Sequence, residues 1–486
     1  MMENYFPSKD QFLELSKNYN YIPVYTELDS NSETPLSIYR KIVKNPYSFL
    51  LESVEGDESV ARYSFIGINP KEIIKTGSEE QNGEVDPLEL LEKAMENIKF
   101  ASLKGLPKFH GGAVGFLSYE TVTYIEPSVE KSAQSLTYTP ESVFMIGSSL
   151  VIFDHVKQSI IIVVHADLRN SKDFEDTYRK TLESISEITT DLKEDVFSEK
   201  AHDNSDFEDF SVVHITEKER YQKMVQKTKE LINQGEMIQA VLSQKLTRKV
   251  KVSAVNIFQS LRIINPSPYM FLLDLEDFHI IGSSPELLVQ VVDGVVAAHP
   301  IAGTRPRGKN EKEDQDLEKE LLNDEKELAE HLMLLDLGRN DVGKVSSPGS
   351  VKVTQQMEIE RYSHVMHIVS HVTGDLSENF NPFDVLKSAF PAGTVSGAPK
   401  VRAMQLISEG EQYQRGPYSG AVGYFSFNGN MDTAIAIRTI ILKDGVAYLQ
   451  AGAGIVSDSV PEREYQECLH KMGALIKAIE HAEENY

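Results

Sequence analysis

Two pairs of glutamates are the first candidates for metal chemistry in this sequence. Glu327 and Glu330 lie in one predicted helix, and Glu464 and Glu467 lie in the predicted C-terminal helix. Side chains three positions apart are neighbours on a helix, so each helix can present two carboxylates. Two such pairs could hold one hard cation such as Mg²⁺, which prefers oxygen ligands. The chain has 74 acidic residues, and spacing alone therefore leaves solvent-facing pairs as an alternative.

Four loop segments in the second half of the chain could bind an anion. They are HPIAGTRPRG at 299–308, FPAGTVSGAPKVR at 390–402, GPYSGAVGYFSFNGN at 416–430 and QAGAGIVSDS at 450–459. Glycine lets a ligand approach backbone N–H groups closely, and the second segment opens a helix, whose N-terminus attracts anions. Arg305 and Arg307 are expected to supply positive charge. The pattern GxxxxGK[ST] is missing, which argues against a P-loop.

Three histidines at 364, 367 and 371 could suggest a zinc site if they lay on a helix. The valines and isoleucine between them favour a strand instead. On a strand His367 and His371 share one face and His364 points away, so no zinc site is predicted. One of these histidines could carry a proton, with a purely structural histidine as the alternative.

Composition excludes several functional classes. The net charge of the 486 residues is −25, which argues against nucleic acid or an anionic membrane as the main partner. The longest apolar run, SIIIVV at 159–164, is too short to cross a bilayer. Cys468 is the only cysteine, so an intrachain disulfide framework is impossible. A soluble, cytoplasmic protein is expected.

Strand and helix patterns divide the chain in two. Residues 1–182 are rich in strand signals, including a hairpin with its turn near 154–159, and 212–486 mix strands with long helices at about 311–340 and 461–483. The acidic segment 183–211 is predicted to be a linker, with a long surface loop as the alternative. We predict an α+β fold in which antiparallel β-sheets pack face to face and helices lie outside.

One internal similarity links the two regions. GGAVGFLSYE at 111–120 resembles SGAVGYFSFN at 419–428. The pair indicates either an old duplication or two glycine-rich strands with similar packing.

Five motifs together resemble component I of anthranilate synthases, a group within the chorismate-utilising enzymes. They are PIAGTRPRG at 300–308, EHLMLLDLGRNDVGKV at 330–345, TVSGAPKVRAMQLI at 394–407, GPYSGAVGYFSF at 416–427 and AGAGIVSDSVPEREYQE at 451–467. The resemblance covers nearly the whole chain and implies Mg²⁺ bound by Glu330 and Glu467. It implies chorismate contacts at Gly303, Thr304, Tyr418, Arg438, Gly452, Ala453 and Gly454. Residues 1–182 are then expected to be regulatory and residues 212–486 catalytic.

Two positions distinguish this chain from related enzymes. Aminodeoxychorismate synthases typically carry a ring-attacking lysine where this chain has Ala302. Isochorismate and salicylate synthases carry a water-activating lysine at the position of Gln239. Because an amide cannot act as a base, ammonia is the expected nucleophile, with anthranilate and pyruvate as products. Aminodeoxychorismate synthase remains the first alternative.

The resemblance also implies catalytic roles and a partner. Glu327 is the candidate acid for the leaving hydroxyl, His367 is the candidate for assisting proton loss, and Thr394 is expected to orient the substrate. Cys468 lies in a helix without the strand–turn–helix elbow of a nucleophilic cysteine. Ammonia is therefore expected from a separate glutamine amidotransferase subunit, in a heterotetramer.

A second resemblance is regulatory. LLES at 50–53 and NPSPYMF at 265–271 resemble the family's tryptophan feedback pocket, with Ser53, Pro268, Tyr269 and Met270 at the contact positions. Tryptophan is therefore expected to inhibit the enzyme. A tryptophan-sensing homologue without catalysis is the second alternative. The chain itself contains no tryptophan.

Overall fold

The computed structural model describes residues 5–54, 62–132, 134–194, 210–362 and 365–486. His364 lies outside these residues, as does 195–209 of the predicted linker.

Within the described chain the strands form two sheets. The larger sheet contains β1 (Tyr21–Asp29), β2 (Ser48–Glu52), β3 (Tyr63–Ile68), β7 (Ser149–Asp154), β8 (Ser159–Asp167), β9 (Val213–His214), β10 (Gln239–Lys249), β11 (Tyr269–Asp274), β12 (Phe278–Ser284), β18 (Gly397–Ala398), β21 (Thr439–Lys443) and β22 (Val446–Ile455). The smaller sheet contains β4 (Glu72–Thr76), β5 (Gly112–Leu117), β6 (Ser142–Ile146), β13 (Leu287–Val292), β14 (Val295–Ala298), β15 (Ile301–Pro306), β16 (Lys352–Arg361), β17 (Val365–Asp375), β19 (Ala421–Ser426) and β20 (Met431–Ile435).

Twelve α-helices accompany the sheets in the described residues. They are α1 (Lys9–Leu15), α2 (Pro35–Ile42), α3 (Pro87–Met95), α4 (Val122–Ile125), α5 (Phe174–Asp191), α6 (Lys218–Asn233), α7 (Ala254–Ile264), α8 (Glu311–Leu322), α9 (Glu325–Val345), α10 (Pro382–Ala389), α11 (Lys400–Gly410) and α12 (Pro461–Asn485). None of the helices in these stretches of the chain is long and apolar enough to span a bilayer.

The two sheets pack face to face and confirm the predicted fold class. The larger sheet runs β1-β8-β7-β3-β2-β11-β12-β21-β22-β10-β18, with β9 beside β10, and the smaller runs β15-β17-β14-β13-β20-β19-β5-β6-β4, with β16 beside β17. Phe116 of β5 contacts Phe278 of β12 edge to face, with ring centroids 6.0 Å apart. This apolar layer contains side chains from both sheets, while α5, α7, α9, α10 and α12 cover their outer faces.

The two regions predicted from the sequence interleave in the fold. β2 from the first region pairs with β11 from the second in the larger sheet, and β5 pairs with β19 in the smaller sheet. The boundary at 183–211 therefore does not separate one sheet from the other. Helix α5 continues to Asp191 because Ile185 and Ile188 are buried, so the start of the predicted linker is helical.

The two similar glycine-rich segments are neighbours in space. β5 and β19 pair antiparallel with Gly115 opposite Gly423. A Cβ at Gly115 would lie 1.9 Å from the carbonyl oxygen of Val143, and one at Gly423 would lie 2.1 Å from that of Asp432. Close backbone approach thus requires glycine at both positions, which accounts for the similarity by packing.

The helix predicted over 311–340 is in fact two helices. Asn323 ends α8 and its side chain donates to the carbonyl of Lys319. The side chain of Asp324 then accepts from the N–H groups of Lys326 and Glu327 and starts α9. Two adjacent capping residues therefore end α8 and begin α9 within the predicted single helix. The hairpin around 154–159 and the helix that begins at Pro461 form as predicted.

Candidate active site

His367 lies at the centre of three neighbouring strands at the edge of the smaller sheet. From β17 it pairs directly with Thr304 of the neighbouring strand β15. Its Nδ1 lies 3.1 Å from the carbonyl oxygen of Gly303 and 3.0 Å from Oγ1 of Thr304. The register shifts between Ala302 and Thr304, and Gly303 has a φ of +76°. This glycine bulge aims the Thr304 side chain at the imidazole.

The carboxyl group of Glu327 approaches the same bulge from α9. A Cβ at Gly303 would lie 3.3 Å from Oε2 of Glu327, while Oε1 accepts from Arg305 at 3.2 Å. Ala302 is buried beside the bulge. The sequence-predicted residues Gly303, Thr304, Glu327 and His367 are therefore brought together.

Arg305 and Arg307 were expected to attract an anion, but both are engaged by carboxylates. Arg305 also contacts Glu320 and Asp324 at 2.9 and 2.7 Å, and Arg307 pairs with Asp314 at 2.9 Å. They hold the loop against α8 and α9. Positive charge for a substrate must come from other residues.

Gly452 and Gly454 lie in β22 where that strand has one uncovered edge. β22 pairs with β21 only as far as Leu449, whereas its pairing with β10 continues to Ile455. Among the described strands, none covers the other edge beyond Leu449, so N–H groups that point outward there could reach a ligand. A Cβ at Gly452 would lie 2.9 Å from the hydroxyl of Tyr418, and one at Gly454 would lie 2.4 Å from Nε2 of Gln239.

Arg438 and Lys471 supply the positive charge next to this edge. Arg438 is mostly buried, which lowers the pKa of its guanidinium group, and nearby Tyr418 and Glu467 oppose that effect. Its Nη1 donates to the carbonyl of Lys471 at 2.9 Å. The charge of Arg438 also lowers the pKa of His367. Arg438 is thus linked to the β22 edge through Lys471, whose Nζ donates to the carbonyl of Gly452, and its charge reaches His367. We call the space between these groups the cleft.

The two predicted glutamate pairs flank this cleft and suit a hard cation. Burial raises the pKa of Glu330 and of Glu464, and the neighbouring carboxylate of each pair raises it further. Gln239 Nε2 donates to Glu330 at 3.4 Å, and Lys471 Nζ lies 2.8 Å from Glu467. In the described residues no three His, Cys, Asp or Glu side chains form a complete metal site. This donor set suits Mg²⁺, which takes one or two carboxylates plus water and substrate oxygens.

Glu286 is a further candidate for the site, and the sequence analysis did not identify it. Burial raises the pKa of its carboxyl group to about 7, while the nearby Thr394 side chain and the charge of Lys471 lower it. It follows β12 and lines a cavity with Thr394 and His299. The sequence does contain a signal for this residue, because Glu286 is the only acid between Phe278 and Val292. A single acid in an apolar run is a candidate for a perturbed pKa.

The residues of the expected tryptophan pocket also come together. Met270 pairs with Glu52 across β11 and β2, which places Ser53 next to Pro268 and Tyr269. The N–H of Val54 donates to the carbonyl of Ser267 at 3.3 Å. β12 and β21 separate this region from β22 in the same sheet. These residues thus lie apart from the cleft.

The fold and the cleft define a chorismate-binding enzyme. Residues 46–477 match the model of the family described as chorismate binding enzyme, and the chain belongs to that family. Anthranilate synthase component 1 of Acetivibrio thermocellus is 48% identical, over 99% of each chain. That of Aquifex aeolicus is 46% identical, over 98% of each chain. The predicted family is therefore confirmed, and these relatives support anthranilate synthase over the aminodeoxychorismate synthase alternative.

Solved structures agree with this assignment. Anthranilate synthase component I from Streptococcus pneumoniae is 36% identical, with a TM-score of 0.75 and coverage of 92% of this chain and 99% of that chain. The menaquinone-specific isochorismate synthase from Escherichia coli has a TM-score of 0.70, covering 97% of this chain and 98% of that chain. It is only 17% identical, so this similarity concerns the fold alone.

Proposed function

We propose that this chain converts chorismate and ammonia to anthranilate, pyruvate and water, as component 1 of an anthranilate synthase. One observation above all supports ammonia, rather than a side-chain amine, as the nucleophile. Neither Ala302, which is buried beside the Gly303 bulge, nor Gln239, which donates to Glu330, offers an amine. The Lys471 amine is held by Glu467 and by the carbonyl of Gly452 at 2.8 and 2.9 Å. An external nucleophile therefore has to supply the nitrogen.

The charged groups of the cleft suit a substrate with two carboxylates. Arg438, Tyr418 and the free edge of Gly452–Gly454 would hold one carboxylate through charge and N–H groups. Glu330 and Glu467 would hold Mg²⁺ near the other. When bound, Mg²⁺ supplies Lewis-acid chemistry that draws electron density towards that carboxylate. Gly303 and Thr304 would contact the ring from the opposite sheet.

Acid and base roles follow from the surroundings of three groups. Addition of ammonia at C2 requires a proton for the departing C4 hydroxyl. Glu286 suits that role because its pKa is raised to about 7, and Glu327, although paired with Arg305, is the second candidate. Burial lowers the pKa of His367, which favours the neutral base that removes the C2 proton as pyruvate leaves. Thr394 orients the substrate and tunes Glu286.

The ammonia would come from a glutamine amidotransferase subunit in a heterotetramer. Cys468 is buried, and burial raises the pKa of its thiol to about 11. Such a thiol is a poor nucleophile at neutral pH, so it does not suit glutamine hydrolysis. A cytoplasmic location fits a chain with a single cysteine.

Tryptophan would inhibit through the pocket at Ser53, Pro268, Tyr269 and Met270. A chain of contacts leads from this pocket to the cleft. Ser283 Oγ donates to Ser267 Oγ at 3.0 Å, and its N–H donates to the carbonyl of Arg438 at 3.1 Å. A ligand that moves β11 can therefore act on Arg438. Linkage requires that chorismate weaken tryptophan binding by the same factor.

One assay tests the proposal. Purified protein receives chorismate and ammonium chloride, with and without Mg²⁺, and the products are separated and identified by mass spectrometry. We expect ortho-aminobenzoate and pyruvate in equal amounts, only with Mg²⁺. The para isomer would indicate aminodeoxychorismate chemistry after loss of pyruvate. No turnover under any condition would leave a sensing role and refute the proposal.

A further inference from the structure

Strand register places one polar side chain on each side of the proposed base, His367. On one side of His367, β15 presents Thr304. On the other side, β16 presents Glu360 as the direct partner of His367. Side chains of paired residues lie next to each other on one face of a sheet. The imidazole of His367 therefore lies between a hydroxyl and a carboxylate.

The contacts of Nδ1 determine which nitrogen of His367 can accept a proton. The carbonyl oxygen of Gly303, 3.1 Å away, can only accept a hydrogen bond. Nδ1 must therefore carry the proton, because a carbonyl beside an unprotonated nitrogen would be repulsive. In the neutral ring this leaves Nε2 unprotonated and able to act as the base.

Two neighbours hold the carboxylate of Glu360 in place. The hydroxyl of Tyr362 donates to Oε2 at 2.9 Å, and Nε2 of His299 lies 3.4 Å from Oε1. The ring of Tyr362 then packs against that of His367, with centroids 5.6 Å apart at 66°. Glu360 is thus connected to His367 both through strand pairing and through Tyr362.

Opposing charges act on this histidine. Burial lowers the pKa of His367, and the charge of Arg438 lowers it further, while the carboxylate of Glu360 raises it. Glu360 in turn faces His299, Tyr362 and His367, and these groups keep its own pKa low. Among the described residues, Glu360 is thus the negative charge that offsets Arg438 at His367.

We propose that Glu360 is a positioning residue for His367. It stabilises the imidazolium that forms when Nε2 takes the C2 proton of the intermediate, and through Tyr362 it fixes the plane of the ring. This role in turnover rests on the proposed function, whereas the coupling between Glu360 and His367 does not.

The coupling can be measured without turnover. The imidazole of His367 is titrated by NMR in ¹³C-histidine-labelled full-length protein, with its signal assigned by His367→Asn. In Glu360→Gln the pKa of His367 should fall by roughly one pH unit, the effect of losing a nearby opposite charge. Glu358→Gln is the matched control, since Glu358 is an exposed acid on the same strand, and should leave the titration unchanged.

Turnover then tests the role. Since one pH unit corresponds to about tenfold weaker stabilisation of the imidazolium, kcat should fall about tenfold in Glu360→Gln. The KM for chorismate should change less than about twofold, because Glu360 acts only through His367. The acid limb of kcat/KM should move to lower pH.

These outcomes distinguish the inference about Glu360 from the proposed function. An unchanged His367 titration in folded Glu360→Gln overturns the inference even if wild-type protein makes anthranilate. A shifted titration in an inactive wild type overturns the proposed function but supports the coupling. If Glu360→Gln does not fold, Glu360→Asp decides. That variant keeps the charge but draws the carboxylate back from the imidazole, so the pKa of His367 should fall, and no change or a rise would refute the inference.

Discussion

Replacing Glu286 by glutamine tests the assignment of the proton donor. Glutamine has nearly the same shape but cannot give up a proton. Burial raises the pKa of Glu286 to about 7 against an ordinary value of 4.5. About half of the carboxyl groups are then protonated at pH 7, compared with roughly 0.3% at the ordinary value, a gain of roughly 150-fold in available acid.

The expected loss follows from this role. General acid catalysis contributes about 10²- to 10⁴-fold, so kcat in Glu286→Gln should fall at least about 100-fold, or ~3 kcal/mol in the barrier. In wild type, kcat should decline as the pH rises through about 7, because the protonated form of Glu286 is lost. Anthranilate fluorescence gives the rate, which is divided by the concentration of free ammonia at each pH.

Thr394→Val sharpens the test by changing the pKa of Glu286 and keeping its carboxyl. The Thr394 hydroxyl lowers the pKa of Glu286, so the decline in kcat should move to higher pH in this variant. Glu378→Gln, at an exposed glutamate, should match wild type. The reasoning is refuted if Glu286→Gln keeps more than a tenth of wild-type kcat, or if Thr394→Val moves the decline to lower pH.

Three further outcomes are expected. Glu467→Gln should abolish turnover at limiting Mg²⁺. Its melting temperature should stay near that of wild type, since the side chain is 48% exposed. Near-normal activity would contradict the metal assignment. Ser53→Phe should fill the tryptophan pocket. The fluorescence emission of added tryptophan should then not change on mixing with the variant, and tryptophan should not inhibit its turnover. Wild-type protein, which has no tryptophan of its own, should show both effects. Burial lowers the pKa of His165 and His331 to about 4 from 6.5, so their neutral forms stabilise the fold above pH 6.5 and this stability is lost as the pH falls towards 4. Urea unfolding should show a loss of about 2 kcal/mol per histidine at pH 5 relative to pH 7.5, and a His165→Gln variant with the same pH dependence as wild type would contradict this.

Local patterns in the sequence were sufficient for much of the architecture. Alternating and β-branched runs predicted the hairpin around 154–159, and Pro461 with its apolar stripe predicted α12, because these features depend on neighbours a few residues away. The strand periodicity around His367 also predicted that His367 and His371 lie on one face. Both are half-buried in β17, whereas Ile368 and Val372 are buried. Spaced motifs together indicated the family, which the relatives confirm.

Other properties depended on which distant segments meet. Arg305 has the composition of an anion site, yet α8 and α9 deliver three carboxylates to it. Glu286 is an ordinary glutamate until packing against Thr394 and the surrounding apolar residues removes it from water. Glu360 and His367 become partners only through the register of β16 and β17. Charge, burial and register are set by contacts between residues far apart in sequence, and no periodicity along the chain records them, so only the tertiary structure could decide these chemical properties.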